Sequence, residues 1–336
     1  MAHRQTVSFL LQRFRDAGIR PDTRHGQNFL IDLNLVQVLV DAAELERHDV
    51  VLEVGTGTGS LTAQLAQRAA AVVSIEISAE LHQLAQEELV DYDNVTLLRG
   101  DALRTKNRLD PAVLAPVAAA LASDPSRRLK LVANLPYNVA TPIISNLLST
   151  DITPHLMAVT IQKELADRIT ARPSTKDYSA LSVWIQSQCD TEVVRILPPA
   201  VFWPRPKVHS AIIRIIPQPA KRAQIAHPEF FHTFVRSVFL HRRKFLRSGL
   251  ISALKRDLSK SAIDAILADM ALGAEARAEQ LDVHQLLQLS DAVYAALNAR
   301  PQPDARRGRP AGLLPATSAV LLHPQPRRSV RVAARN

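Results

Sequence analysis

The sequence predicts an α/β protein with a doubly wound, mostly parallel sheet, followed by a smaller C-terminal α-helical domain. Short β-branched runs alternate with helical patterns from residue 50 onward. A glycine-rich turn joins the first of these runs to the first of these helices. After Pro217 the pattern becomes helical and stays so to about Asn298. Regular alternation of this kind is typical of βαβ units with helices on both faces of a sheet.

The individual elements follow from hydrophobic periodicity and from capping residues. Ser78 is a suitable N-cap for the helix that follows the second strand. The two closing strands lie near each other in sequence, which favours an antiparallel pair. The pattern predicts strands at 49–54, 72–77, 95–98, 129–133, 157–162, 192–197 and 210–216, and helices at 60–70, 78–90, 141–148 and 163–171. We therefore predict a catalytic domain at 1–216, a helical domain at 217–300 and a tail at 301–336.

Basic residues are concentrated at the C-terminal end of the chain. The whole sequence has a formal charge of +9, from 41 Lys and Arg against 32 Asp and Glu. Residues 301–336 hold seven arginines and one acid, so this tail carries +6, and six of its residues are proline. Such a composition without hydrophobic periodicity predicts a disordered basic tail that attracts polyanions. A solubilising extension without a target is the alternative.

Cysteine usage and hydropathy exclude several classes of protein. Cys189 is the only cysteine, so an internal disulfide is impossible and a reducing compartment is expected. No apolar run approaches the roughly eighteen residues that a membrane span needs, and residues 1–16 lack a signal-peptide core. The eleven histidines show no paired metal-ligand spacing. We expect a cytoplasmic monomer that binds no metal.

A run of glycines follows the first strand and opens the next helix. Glycines at Gly55, Gly57 and Gly59 let the backbone turn sharply and let a ligand approach the main chain. Glu76 ends the second strand and Asp101 follows the third, where the two acids can bond a ribose diol and an adenine amino group. A nicotinamide-binding protein shares this outline, although its fingerprint favours glycine or alanine where Ser60 stands. The pattern predicts a nucleoside-containing cofactor.

The tetrapeptide Asn134-Leu135-Pro136-Tyr137 follows the fourth strand, at the sheet edge where doubly wound proteins bind ligands. Its residue types suit methylation of an aromatic amino group. The Asn134 side-chain oxygen and the Leu135 carbonyl can each accept one amine hydrogen. Tyr137 offers a flat face on which an extruded base can stack. Pro136 fixes the turn before the substrate arrives.

Together these residues resemble the successive motifs of the small-subunit rRNA adenine N(6)-dimethyltransferases, closest to the bacterial KsgA type. The resemblance covers about residues 20–295 and is strengthened by two later segments, 201–210 and 239–244. It implies a class I S-adenosylmethionine-dependent methyltransferase with a Rossmann-like fold. Its substrate would be two adjacent adenosines in a hairpin near the 3′ end of small-subunit (16S) rRNA, dimethylated on the immature small ribosomal subunit. The motif residues that support it are Gly26-Gln27-Asn28-Phe29-Leu30, the 53–59 turn, Glu76, Asp101 and 134–137.

The resemblance also implies residue roles. Gly55 would lie under the methionine part of the cofactor, Glu76 on the ribose hydroxyls and Asp101 on the adenine amino group. Tyr137 and Phe202 would sandwich the target base, a role open to any aromatic face. The cofactor would be contacted by Asn28, Leu30, Gly55, Glu76, Asp101 and Asn134, and catalysis would involve Asn134, Leu135, Tyr137 and Phe202.

Four positions depart from the usual family pattern. Thr56 stands where members usually have proline, Trp203 and Arg205 lie in a stretch that usually contains several prolines, and His209 replaces an aspartate. The large-subunit rRNA methyltransferases of macrolide resistance share nearly every motif. Gly26 and the long helical region after Pro217 favour the small-subunit interpretation. A ribosome-assembly factor that acts mainly by binding is a further alternative.

A basic segment lies in the predicted helical domain. Residues 236–256 contain seven Lys or Arg and no acid. If the segment is one helix, Arg243 and Arg247 share a face, and Arg236 and Lys244 lie two turns apart. Apolar residues between the cations (Phe239, Leu240, Phe245 and Leu246) would dock that helix on the protein. Phosphate contacts from such a face give affinity without sequence information, so we predict RNA contact by Arg242, Arg243, Lys244 and Arg247.

Overall fold

A computed structural model describes residues 7–16, 18, 27–240 and 242–299 of the chain. The predicted tail at 301–336 lies outside the described residues. So do Gly26 and His241, which belong to two of the motifs.

The secondary structure alternates between strands and helices over most of the described chain. The strands are β1 (Phe29–Leu30), β2 (Asp49–Val54), β3 (Ala71–Glu76), β4 (Val95–Arg99), β5 (Leu103–Thr105), β6 (Arg108–Leu109), β7 (Arg128–Asn134), β8 (Leu156–Gln162), β9 (Cys189–Leu197), β10 (Phe202–Trp203) and β11 (Ser210–Pro217). The helices are α1 (Val7–Asp16), α2 (Leu33–Ala42), α3 (Ser60–Ala66), α4 (Ala79–Glu88), α5 (Pro111–Ala122), α6 (Ala140–Leu147), α7 (Lys163–Ile169), α8 (Ala180–Gln186), α9 (Pro219–Arg222), α10 (Pro228–Phe239), α11 (Leu246–Leu254), α12 (Lys260–Asp269) and α13 (Val283–Asn298).

The main sheet has seven strands in the order β4-β3-β2-β7-β8-β11-β9. Neighbours from β4 to β8 are parallel, whereas β11 is antiparallel to both β8 and β9. All six residues of β2 are buried, as expected for a parallel strand with helices over both faces. The order reverses between β2 and β7, and such a reversal opens a crevice at the carboxyl ends of the strands. The predicted doubly wound sheet and its antiparallel closing pair are confirmed.

Most predicted element boundaries lie within a few residues of the observed ones. The helix expected at 60–70 ends at Ala66, and the one expected at 78–90 ends at Glu88. Ser78 is the N-cap of α4, as predicted, and its hydroxyl accepts from the Leu81 amide at 3.2 Å. The sequence analysis did not predict α2, which Asp32 caps by accepting from the Asn34 amide at 2.9 Å. It also missed α5, α8 and the short strands β1, β5, β6 and β10.

The region after Pro217 is helical, as predicted, and shares a hydrophobic core with the sheet. Trp184 of α8 packs against Phe231 of α10, with ring centroids 6.5 Å apart. Residues of α10 to α13 belong to the same buried cluster as Ile213 of β11. The division into domains at 216/217 stays a prediction. Cys189 is buried at the start of β9.

None of the helices in the described ranges combines the length and the apolar character needed to cross a membrane.

Candidate functional site

A cavity of about 270 Å³ lies at the carboxyl ends of β2 and β7, where the strand order reverses. Its walls come from residues 27–30, from the glycine turn after β2, from the ends of β3 and β4, and from the loop after β7. A largely preformed crevice with a few polar groups is typical of a cofactor site. The topology therefore brings Gly55, Glu76, Asp101 and Asn134 together, because each lies at the carboxyl end of a different parallel strand. Asn28 and Leu30 reach the cavity from the N-terminal segment instead.

The glycine turn has a backbone that other residues would strain. Gly55, Gly57 and Gly59 have φ values of 89°, 59° and 82°, in the left-handed region that glycine adopts without a steric penalty. A Cβ at Gly55 would lie 3.2 Å from Cδ of Pro136, so the turn packs against the loop after β7. A Cβ at Gly57 would lie 3.2 Å from Cε1 of Phe29. The turn is thus pressed between the N-terminal segment and the tetrapeptide.

Glu76 closes one end of the cavity and is bound to the turn. It is buried, and its Oε2 accepts from the Gly57 amide at 2.9 Å while Oε1 accepts from the Ser78 amide at 3.0 Å. Burial raises the pKa of Glu76, and the hydrogen bonds from the Ser78 and Gly57 amides act in the opposite direction. Each carboxylate oxygen has a further lone pair, so this rigidly held group can also accept from a diol.

A second acid, Glu53, lies beneath the turn in a buried hydrogen-bond network. Its Oε2 accepts from the hydroxyls of Thr62 at 2.6 Å and Ser74 at 2.7 Å. The Ser74 hydroxyl also lies 2.6 Å from that of Thr56, the residue that stands where the family usually has proline. Burial raises the pKa of Glu53 to about 8. Its Oε1 is buried without a hydrogen-bond partner and Glu53 lines the cavity, so this atom can accept from a bound ligand.

Asp101 also lines the cavity and remains exposed. Its Oδ1 accepts from the Leu103 amide at 2.8 Å, which orients the carboxylate at the end of β4. The sequence analysis missed two apolar neighbours, Ile77 and Ala102, which also line the cavity. Ile77 is 47% exposed, unusual for an isoleucine beside a buried strand end. The signal for both was available, because each directly follows one of the two predicted acids.

The N-terminal segment forms the cavity wall next to the tetrapeptide. Asn28 and Leu30 both line the cavity, as expected for cofactor contacts. The Asn134 amide nitrogen donates to the Asn28 carbonyl at 2.8 Å. That bond orients the Asn134 amide, and no donor among the described residues pairs with its Oδ1. The remaining acceptor suits the predicted contact with an amine.

The loop after β7 is held at both ends. The Leu135 amide donates to the Thr160 carbonyl at 3.1 Å, and the Tyr137 hydroxyl lies 2.6 Å from the Ser210 hydroxyl. Burial raises the pKa of the Tyr137 hydroxyl, while the hydrogen bond with Ser210 acts in the opposite direction. Tyr137 lines the same cavity as Asn134, and its base-stacking role stays a prediction.

Phe202 is not placed beside Tyr137 in the cavity wall. It is 2% exposed and packs in a buried cluster with Leu39 and Ile212. Its backbone does reach the site, because β10 pairs with β1 and places Phe202 opposite Leu30. The structure therefore brings Asn134, Leu135 and Tyr137 together and leaves the Phe202 ring covered.

The basic segment is not one helix. α10 ends at Phe239 and α11 begins at Leu246, so Arg236 and Lys244 do not share a helical face, and neither do Arg243 and Arg247. Tertiary contacts override the helical pattern here, because the Leu246 amide donates to the Ala276 carbonyl at 2.7 Å. The apolar docking prediction is half wrong. Phe239 and Leu246 are buried, but Leu240 is 76% and Phe245 46% exposed.

The four predicted RNA contacts differ in what they already bind. The Arg242 guanidinium donates to the carbonyls of Tyr178 and Lys176, so it fixes the segment to the preceding loop. Arg247 forms an ion pair with Asp264 at 2.5 Å. Arg243 and Lys244 are exposed, and no ion pair within the described ranges involves either. These two are the cations best placed to meet phosphate.

Comparison with known proteins assigns the chain to a family. Residues 20–289 match the family model described as Ribosomal RNA adenine dimethylase. The chain belongs to this family.

Members of this family with small-subunit names are similar over most of their length. The chain is 37% identical over 270 residues to Ribosomal RNA small subunit methyltransferase A of Clostridium botulinum, covering 80% of this chain and 92% of that protein. It is 38% identical over 272 residues to the same-named protein of Clostridium acetobutylicum, covering 81% and 93%. The same-named protein of Streptococcus gordonii is 38% identical over 269 residues, covering 80% and 90%.

Two solved structures share the fold. A dimethyladenosine transferase from Plasmodium falciparum superposes with a TM-score of 0.64 at 24% identity, covering 77% of this chain and 94% of that one. The 23S rRNA methyltransferase ErmE superposes with a TM-score of 0.56 at 25% identity, covering 79% and 99%. Both confirm the predicted class I methyltransferase fold.

As a member of the rRNA adenine dimethylase family, the chain is an S-adenosylmethionine-dependent methyltransferase that acts on rRNA. The cavity fits that cofactor. Glu76 can accept hydrogen bonds from a ribose diol. The turn leaves space that a Cβ at Gly55 would fill. Glu53 Oε1, which has no hydrogen-bond partner among the described residues, can accept from a donor such as an ammonium group. Among the described residues no group of three or more His, Cys, Asp or Glu side chains could hold a metal ion.

Proposed function

We propose that the protein transfers methyl groups from S-adenosylmethionine to the 6-amino groups of two adjacent adenosines in a hairpin near the 3′ end of small-subunit rRNA. Each adenosine is dimethylated during small-subunit maturation, which makes four transfers. The observation that supports this target best is the 37–38% identity to relatives named for the small subunit, over about nine-tenths of their length. Identity to the 23S rRNA methyltransferase ErmE is 25%.

The chemistry depends on Asn134 and Leu135. The bound cofactor supplies an electrophilic methyl group on its sulfonium. The adenine amine is a poor nucleophile, because its lone pair is delocalised into the ring. Acceptance of one amine hydrogen by Asn134 Oδ1 and the other by the Leu135 carbonyl favours a pyramidal nitrogen whose lone pair points at the methyl donor. Groups held in this geometry before the substrate arrives lower the barrier without a strong base.

Base recognition starts from Tyr137. Its ring lines the cavity and its hydroxyl is fixed by Ser210, so it offers a preoriented face for an extruded adenine. Phe202 completes the sandwich from β10. That role requires the Phe202 ring to leave the cluster in which it is buried, so the second half of the sandwich forms only when the substrate binds.

Cofactor contacts are distributed over the strand ends. Glu76 accepts from the ribose hydroxyls and Asp101 from the adenine amino group. Gly55 approaches the methionine part, while Asn28 and Leu30 close the cavity from the N-terminal side. All five residues line the one cavity.

RNA is held outside this cavity by the exposed cations Arg243 and Lys244, with the helical domain at 217–300 as the main RNA-facing surface. Arg242 and Arg247 contribute by shaping that surface, since both already bind protein groups. The partner is the immature small ribosomal subunit in the cytoplasm, and the protein acts on it as a monomer.

The test is methyl transfer from labelled S-adenosylmethionine to small ribosomal subunits that lack the modification, with large subunits and DNA in parallel. We expect label in small-subunit RNA, recovered as dimethyladenosine. Label in large-subunit RNA would instead assign the protein to the macrolide-resistance type. Cofactor binding without any transfer, together with tight binding of the immature subunit, would favour an assembly factor that acts by binding.

A further inference from the structure

The cavity wall formed by Asn28, Phe29 and Leu30 has little secondary structure of its own. β1 is two residues long and pairs only with β10, which is also two residues long. An isolated ribbon of this size is not stable in water. Something else must hold this wall against the cavity.

Three aromatic rings pack together behind the wall. The ring centroid of Phe14, on α1, lies 5.2 Å from that of Phe29 and 5.3 Å from that of Trp203 on β10. Phe29 and Trp203 are stacked with centroids 6.4 Å apart. Phe14 is 2% exposed, so the contact is well covered. We call Phe14, Phe29 and Trp203 the aromatic triad.

The triad is anchored to the helix that follows Glu76. Leu81 and Leu84 of α4 belong to the same buried cluster as Phe14. Arg13 forms ion pairs with Glu88 at 3.1 Å and with Glu87 at 3.3 Å, both on α4. The N-terminal helix is therefore fixed to the part of the domain that carries the acid at the end of β3.

The triad also reaches the glycine turn. Phe29 is the ring that a Cβ at Gly57 would meet at 3.2 Å, and the Gly57 amide donates to Glu76. Of the three rings only Phe29 lines the cavity; Phe14 and Trp203 lie behind it. A shift of Phe29 would be transmitted through Gly57 to the carboxylate at the ribose end of the site.

We propose that Phe14 and Trp203 are positioning residues that set the cofactor affinity, by holding Phe29 and its strand against the glycine turn as the closed wall of the cavity. They touch neither the cofactor nor the base. The proposal rests on the proposed use of this cavity for S-adenosylmethionine. It also gives Trp203, one of the departures from the family pattern, a purpose specific to this chain.

The chain contains two tryptophans, Trp184 and Trp203, which allows a direct test. In a Trp184→Phe background Trp203 is the only indole, so its emission reports on the triad. We expect S-adenosylhomocysteine to change that emission saturably and to give a dissociation constant. In the wild-type background, Phe14→Leu and Trp203→Leu should each raise the KM for S-adenosylmethionine about tenfold. The kcat and the KM for RNA, both measured at saturating cofactor, should stay unchanged.

Two controls separate positioning from general loss of stability. Phe230→Leu removes a ring stacked on Phe234 at 5.8 Å in the helical region, and should leave the cofactor KM unchanged even if the melting temperature falls. Trp203→Phe keeps an aromatic ring at the triad and should restore most of the affinity. The double variant Phe14→Leu/Trp203→Leu should raise the cofactor KM by less than the product of the two single increases, because the two residues act through one contact.

An unchanged cofactor KM in both single variants, or a loss confined to kcat, would overturn the proposal. A different result marks failure of the proposed function itself. If the Trp184→Phe protein binds no S-adenosylhomocysteine by calorimetry, the cavity is not the cofactor site and the triad has no affinity to set.

Discussion

The carboxyl edge of the sheet and the basic segment 236–256 hold their polar groups in opposite ways. At the sheet edge, Glu76 and Asn134 are fixed by hydrogen bonds to Gly57 and to Asn28 before any ligand is present. In the basic segment the exposed cations Arg243 and Lys244 project from a break between two helices. The first arrangement suits recognition by shape and hydrogen-bond pattern, whereas the second offers charge.

This difference predicts different sensitivities. Removal of a preorganised group leaves its buried hydrogen-bond partners unsatisfied, so one substitution at the sheet edge should greatly reduce activity or cofactor affinity. Removal of one exposed cation costs little and depends on salt. The four predictions below test that contrast, from the largest expected effect to the smallest.

Asn134→Ala should lower kcat by about 10²–10³-fold, the usual cost of losing one preorganised hydrogen-bonding group at a reacting centre. The amine then loses one acceptor, and the Asn28 carbonyl loses its donor. Single-turnover methyl transfer measures the effect. Asn107→Ala, an exposed Asn in the β5–β6 turn, is the matched control and should retain wild-type rates. Near-normal turnover of Asn134→Ala would remove the proposed amine contact.

Glu76→Gln should weaken cofactor binding by about tenfold or more, because hydrogen bonds to a charged acceptor are the stronger kind. The kcat at saturating cofactor should change little, since Glu76 is proposed to contact the ribose and not the reacting amine. Calorimetric titration with S-adenosylhomocysteine measures the affinity. Glu80→Gln, an exposed position four residues later on α4, serves as the control. Equal affinity in both variants would contradict the ribose assignment.

Arg243→Ala/Lys244→Ala should flatten the dependence of RNA affinity on salt, reducing the logarithmic slope by about one to two units. Cofactor affinity should be unaffected. Arg242→Ala should instead lower the melting temperature, because it leaves the Tyr178 and Lys176 carbonyls without their donor. Filter binding over a salt series and thermal unfolding separate the two outcomes. An unaltered slope in the double variant would show that these cations do not meet phosphate.

The last prediction concerns Glu53 and the pH dependence of the free energy of unfolding. Its pKa is raised from 4.5 to about 8 in the folded protein. Across that window the unfolded chain has released a proton that the folded chain keeps, so rising pH favours unfolding. Glu53→Gln removes this contribution, and its free energy of unfolding should fall less between these pH values than that of the wild type. Parallel curves for both proteins would mean that Glu53 does not titrate in this window.

The sequence predicted the sheet and the cavity more accurately than the basic segment. Strand ends in a parallel sheet meet at one edge, so Gly55, Glu76, Asp101 and Asn134 were brought together by topology alone. Local pattern was sufficient there, because each residue directly follows a strand that periodicity identifies. The roles assigned to these residues stay predictions.

The local sequence pattern could not predict the conformation of the basic segment. The sequence is consistent with one continuous helix over residues 236–256, but α10 ends at Phe239. The Arg242 guanidinium donates to distant carbonyls and the Leu246 amide donates to Ala276, and these hydrogen bonds replace the helical ones. The Phe202 ring was expected at the cavity and is buried instead, because its burial depends on α2, which the sequence analysis did not predict. Contacts between segments far apart in sequence decided both cases.

Because β1 pairs with β10, binding of the cofactor and binding of the RNA are expected to be thermodynamically coupled. β1 carries the proposed cofactor contacts Asn28 and Leu30, and Leu30 lies opposite Phe202, the proposed base contact on β10. Any free energy with which one ligand orders this ribbon is shared by the other, and linkage requires that each raises the affinity for the other by the same factor. Bound S-adenosylhomocysteine is then expected to slow the dissociation of the RNA. If the proposed contacts hold, the residence time on the RNA depends on cofactor exchange as well as on surface charge.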